Sequence, residues 1–107
     1  MSETSIPTVQ VGGVPDPLPE GLTLLDVRED NEWAEGHLED AVHIPLGQLP
    51  GRVGEVPNDG QVLVYCKVGG RSAQATAFLQ NAGVEAVNLD GGVVAWTQAG
   101  RPLVFGS

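Results

Sequence analysis

Val62-Leu63-Val64-Tyr65-Cys66-Lys67-Val68-Gly69-Gly70-Arg71-Ser72 is an apolar run that stops at a cysteine, turns through a short polar and glycine-rich loop, and enters a helical pattern. The order strand end, loop, helix start places the thiol of Cys66 among backbone amides and against a helix N-terminus. N–H groups and the positive end of the helix dipole both favour a thiolate there. Lys67 and Arg71 add cationic charge, and such surroundings lower a cysteine pKa and make it nucleophilic. A solitary cysteine elsewhere is usually an inert small hydrophobe, so the loop is what distinguishes this one. Lys67 and Arg71 also read as ordinary solvated charges, and Ser72 equally as a helix-start hydroxyl that satisfies free amides.

Downstream of the loop, Ala75, Phe78, Leu79 and Ala82 recur at i, i+3, i+4 and i+7, the stripe of a helix starting at Ser72 and stopped by Gly83. Ala86-Val87-Asn88-Leu89 then reads as a buried strand, Gly91-Gly92 as a sharp turn, and Val93 to Ala99 as a last helix ended by Gly100, with Pro102 beyond. Upstream, Leu22 to Val27 predicts a strand buried on both faces. Asn31 to Glu35 predicts a short helix capped by Asp30 or Asn31 and stopped by Gly36, and Ala41 to Ile44 another strand ended by Pro45. Leu46, Leu49, Val53 and Val56 have helical spacing, with Pro50 able to occupy a first turn. Val9 and Val11 alternate as a short strand before the irregular, proline-rich loop Gly12 to Gly21, and residues 1–7 read as a poorly ordered polar tail. Strands alternating with short helices predict an α/β domain with a mostly parallel sheet, whose ligands sit at the carboxyl ends of strands. Cys66 falls at such an end.

The chain has 107 residues, enough for one domain with its own core, expected over residues 8–107. One cysteine excludes an internal disulfide and any resolving thiol in the same chain, and favours a reducing compartment. His37 and His43 with that single cysteine match no usual zinc spacing, so no metal or other cofactor is expected. A net charge of −9, from five basic against fourteen acidic residues, argues against nucleic acid or an anionic membrane as partner. No apolar run reaches membrane-span length and the N-terminus lacks signal-peptide character, so the expectation is a cytoplasmic monomer.

Three stretches stand in order: Asp26-Val27-Arg28 with Glu32-Trp33, Gly36-His37-Leu38 and Ile44-Pro45; the Cys66 loop itself; and Leu89-Asp90-Gly91-Gly92-Val93-Val94-Ala95-Trp96. Through them the chain resembles the single-domain rhodaneses, the sulfurtransferase domains. The resemblance implies a rhodanese-like fold, a five-stranded and mainly parallel sheet flanked by short helices on both sides. It also implies that Cys66 carries a persulfide sulfur and that Lys67, Val68, Gly69, Gly70 and Arg71, leading into Ser72, cradle the bound anion. The partners implied are a small anionic sulfur donor such as thiosulfate and an acceptor that is cyanide or a thiol, a protein thiol included. Two residues depart from the family pattern: Asp40 stands where Gly is frequent and His43 where Asn is common. Both bear on a structural turn.

The loop from Cys66 to Arg71 encloses six residues, one fewer than in the phosphatases that resemble this fold. A smaller ring of amides suits a single sulfur atom better than a phosphate or arsenate. Close backbone approach to that sulfur, and positive φ, account for Gly69 and Gly70. Asp26 and Arg28 read as loop-tying ion-pair residues, with Glu32 a further candidate partner for Arg28, and His37 as a turn residue. Trp33 and Trp96 read as packing residues. A weakly active persulfide carrier or interaction module is the alternative to an enzyme, and a phosphatase or arsenate reductase the third reading.

Overall fold

The computed structural model describes residues 6–106. Five parallel strands form one sheet in the order β1-β5-β4-β2-β3, where β1 is Thr8–Val9, β2 Thr23–Asp26, β3 Val42–His43, β4 Val62–Tyr65 and β5 Ala86–Leu89. Between them lie α1 (Asp30–Ala34), α2 (Leu49–Arg52) and α3 (Gly70–Asn81), and α4 (Gly92–Gln98) follows β5. Short 3-10 turns occupy Val11–Gly13, Leu46–Gln48 and Val53–Glu55. The predicted helical spacing at 46–56 is thus realised as three short pieces, with Pro50 in the first turn of α2. Of the predicted tail, residues 1–5 lie outside the described residues, and the Pro7 carbonyl accepts from the Asn88 amide at 2.8 Å.

The period of two along each strand divides the core. Leu25, Val62, Val64 and Ala86 face α3 and α2 together with Cys66, Ala75, Leu79 and Leu49. Leu24, Leu63, Tyr65 and Leu89 face the other way, packing with Leu38, Val14 and Trp96. Each such fully buried aliphatic side chain stabilises the fold by about 1.5–3 kcal/mol. The parity matters for the site: Cys66 continues the Val62-Val64 row and Asn88 the Ala86 row, so both lie on the α3 side of the sheet.

Three local expectations are corrected. The buried line of α3 is Ser72, Ala75, Thr76 and Leu79, whereas Phe78 and Ala82 of the expected stripe are exposed. A hydrophobic count passes over this line because two of its members are hydroxyl residues; Thr76 returns its hydroxyl to the Ser72 carbonyl at 2.8 Å. The helix at 30–34 is capped by Glu29 rather than Asp30 or Asn31, with a reciprocal capping box to Glu32. Val11 belongs to a 3-10 turn and not to β1. Among the described residues no helix is long and apolar enough to cross a membrane.

Candidate active site

Cys66 directly follows β4, and α3 begins four residues later, so the chain must reverse tightly around the sulfur. Gly69 makes that reversal possible at φ +117°, a backbone state that side chains disfavour, and it stands as the N-cap of α3. Gly70 is different: it has no positive φ and open space where a Cβ would be, so neither reason predicted for a glycine applies there. From the far side, α4 fixes the loop. The amides of Val93 and Val94 donate to the carbonyls of Cys66 and Lys67 at 3.0 and 3.1 Å. With those carbonyls engaged by α4, the Gly69 amide donates to the sulfur. Gly92, at the start of α4, approaches so closely that a Cβ would lie 2.3 Å from the Cys66 carbonyl oxygen.

Cys66 is 1% exposed, and its sulfur collects donors from the loop and from α3. The Gly69 amide donates to Sγ at 3.1 Å, and the Ser72 hydroxyl stands 3.4 Å away. Burial pushes the thiol pKa up, but hydrogen bonds from the Ser72 hydroxyl and from the amides of Ser72, Gly69 and Val68 outweigh it and bring the pKa below its ordinary value. Ser72 is therefore no helix cap; its Oγ also lies 2.6 Å from Asn88 Oδ1. Val68, in the same loop, is 61% exposed.

The two loop cations have different fates. Arg71 is engaged by Glu32 in a bidentate pair, Nη1 to Oε1 at 2.7 Å and Nη2 to Oε2 at 2.9 Å, instead of facing the sulfur as a free charge. The hydrogen bonds from Arg71 hold the Glu32 carboxyl down at about 2. Lys67 is exposed and, among the described residues, forms no ion pair; it lines an open groove of about 210 Å³ with Arg28, Glu32, Glu35, Val94 and Leu103. A larger hollow of about 420 Å³ lies at the opposite end of the sheet, between Val14, Leu22, Leu63 and Val87, remote from any of this chemistry.

Arg28 does not reach Glu32. Its guanidinium is bound instead by Asp26, at 2.8–3.1 Å, and by the Gly36 carbonyl at 2.6 Å, with both charged residues buried. His37 bonds the Trp33 carbonyl through Nδ1 at 3.0 Å and His43 the Arg28 carbonyl through Nε2 at 2.8 Å. Both imidazoles stack on Trp33, at 3.5 and 4.6 Å between ring centroids. Asp40 takes φ +65°, keeping the left-handed turn that a glycine would make.

Three residues of the arrangement were not among the sequence candidates: Asn88, Gly92 as a loop contact, and Glu32 as the partner of Arg71. Asn88 carries a readable signal, a lone polar residue inside the apolar strand run 86–89, since a buried amide needs a partner. Glu32 to Arg71 spans thirty-nine positions and leaves no local trace.

A parallel α/β domain with a buried, donor-ringed cysteine at the carboxyl edge of its sheet defines a class of cysteine-loop domains. The family model described as the Rhodanese-like domain matches residues 14–99. A sulfurtransferase of Allochromatium vinosum is 42% identical over 86 residues, covering 79% of this chain and 80% of that protein. A rhodanese-related protein of Thermoplasma volcanium superposes with a TM-score of 0.87 at 29% identity, over 94% of this chain and 99% of that one. A rhodanese-like domain protein of Staphylococcus aureus does so with 0.83 at 28%, over 95% and 100%. This chain belongs to the rhodanese-like family.

Proposed function

We propose that this protein is a sulfurtransferase whose catalytic residue is Cys66, with the loop from Lys67 to Ser72 as the binding cradle. The observation that carries the reading is the buried Sγ with the Gly69 amide at 3.1 Å and the Ser72 hydroxyl at 3.4 Å, donors placed for a negative sulfur. In the proposed cycle the Cys66 thiolate attacks the outer sulfur of a donor such as thiosulfate. The sulfur–sulfur bond of the donor breaks, sulfite leaves with the bonding pair, and Cys66 keeps a persulfide anion. Cyanide or an acceptor thiolate then attacks the outer sulfur and restores the Cys66 thiolate. No general base is needed if the thiol is already ionised at neutral pH.

The test is incubation with thiosulfate, intact mass for one added sulfur, and thiocyanate release on adding cyanide, with Cys66→Ala as control. One added sulfur and turnover, both lost in the control, are expected. Turnover that survives Cys66→Ala overturns the reading. Hydrolysis of an aryl phosphate without sulfur uptake would instead favour a phosphatase.

A second reading, a persulfide carrier with little turnover of its own, is favoured by one specific observation. Glu32 neutralises Arg71, which leaves Lys67 to attract an anionic donor to a chain of net charge −9. Uptake of sulfur that needs a high thiosulfate concentration and declines with added salt would support the carrier. A protein-bound or thiol-bound persulfide would then be the better donor.

A further inference from the structure

Ser72 has one hydroxyl proton and stands between two acceptors. Its Oγ lies 2.6 Å from Asn88 Oδ1 and 3.4 Å from Cys66 Sγ, and all three residues are buried. They come from three elements, the end of β4, the first turn of α3, and β5. In this arrangement the shorter contact directs the proton to Asn88 and turns the oxygen lone pairs toward the sulfur. That suits a protonated Cys66, whose S–H donates to Oγ while Oγ–H donates to Oδ1.

A thiolate inverts the requirement. Sγ then needs the hydroxyl proton, and Asn88 Oδ1 would lose its donor in a buried place. An asparagine amide carries an acceptor on one side and a donor on the other, and half a turn about its last side-chain bond exchanges them. Among the described residues the Nδ2 of Asn88 makes no hydrogen bond, so the turn breaks no other bond among them. The result is a chain running the other way, from Nδ2–H to Oγ and from Oγ–H to the thiolate.

We propose that Asn88 is a positioning residue whose side-chain amide turns over with the charge on Cys66, so that Ser72 accepts from the thiol and donates to the thiolate. This rests on the reading of Cys66 as the reactive thiol. When the thiolate forms its proton leaves to solvent, and the hydroxyl proton of Ser72 stays on Oγ and changes only its partner. The other charges around the site are Arg71 on α3, Glu32 on α1, Lys67 beside the cysteine and Asp90 in the turn after β5. Among the described residues none of them hydrogen-bonds Asn88 or Ser72.

Nitrogen-15 NMR of the whole protein tests it, following the Asn88 side-chain amide across a pH titration while ultraviolet absorbance follows the thiolate. The Asn88 signals are expected to move with the same midpoint as the thiolate, and to stop doing so in Ser72→Ala. Signals that stay fixed in the wild type, or move equally in Ser72→Ala, overturn the proposal. A second readout uses Asn88→Asp, which can only accept. Its alkylation rate at neutral pH should fall about tenfold further when Ser72 is present than in Ser72→Ala, where the added charge acts alone. An equal fall in both backgrounds would assign the effect to charge alone and overturn it. Neither readout uses a sulfur donor, so a coupled titration without persulfide formation would support the switch while sinking the sulfur-transfer reading.

Discussion

Two clusters of polar residues stand at the carboxyl edge of the same sheet, and they behave in opposite ways. After β2, Asp26, Arg28, the Gly36 carbonyl, His37 and His43 satisfy one another. After β4, amides and a hydroxyl converge on a sulfur that no charged side chain among the described residues hydrogen-bonds. Charge and burial alone do not separate them, since Asp26 is as deeply buried as Cys66. What separates them is whether the donors are matched by acceptors already in place or are aimed at an anion that has yet to form. The first cluster is a clasp and the second a socket. They are joined where Glu32 beside the clasp holds Arg71 beside the socket.

The strongest way to break this contrast is at Gly92. With 2.3 Å between its Cβ position and the Cys66 carbonyl oxygen, and φ +54°, Gly92→Ala must displace the loop from α4. Sulfur loading is expected to fall at least about a hundredfold, a loss of about 2.7 kcal/mol or more in transition-state stabilisation. Single-turnover loading with thiosulfate checks it, and circular dichroism shows that the remainder of the fold persists. Gly70→Ala, in open space without positive φ, serves as the matched control and should load nearly normally.

A cut in the clasp should act on stability instead. Asp26→Ala strands a buried guanidinium, which costs about 3–5 kcal/mol in denaturant unfolding. The folded fraction should still load sulfur, because Asp26 makes no contact with Sγ. A loading defect without a stability loss would assign Asp26 to the socket.

Glu32→Gln probes the point where they meet. Releasing Arg71 should lower the KM for thiosulfate by about threefold or more, with little change for an uncharged acceptor thiol, and the gain should shrink in high salt. Acid stability supplies the second readout. The Glu32 carboxyl is held at about 2 against an ordinary 4.5, so its share of stability is complete above 4.5 and disappears as pH falls through about 2. The variant should lack that part of the acid transition. The smallest effect is expected at Asp40, where Asp40→Gly relieves a left-handed φ but loosens the unfolded chain, leaving stability within about 1 kcal/mol by thermal unfolding.

Much of the fold was legible because strands buried on both faces leave continuous apolar runs, as at 62–65 and 22–27, and glycines mark the stops. Cys66 and Gly69 were legible for a local reason: strand, loop and helix start follow one another in sequence. The line of α3 that touches the sheet was not, since Ser72 and Thr76 hide it among polar residues. Arg71 looked like an anion clamp for as long as its partner was out of view. Glu32 belongs to α1, and only the parallel order that sets β2 against β4 brings α1 to the mouth of the loop. Asn88 stood out as a lone polar residue, but its partner Ser72 was hidden the same way, by packing that no local spacing encodes.

The claim most exposed to test is that the ring of donors makes this thiol acidic. Alkylation of Cys66 by iodoacetamide against pH, in the folded protein and in the urea-unfolded chain, measures it directly. The folded-state midpoint is expected below the unfolded one, shifted upward in Ser72→Ala. A folded midpoint at or above that of the unfolded chain would contradict it, because burial would then have outweighed every hydrogen bond that the loop supplies.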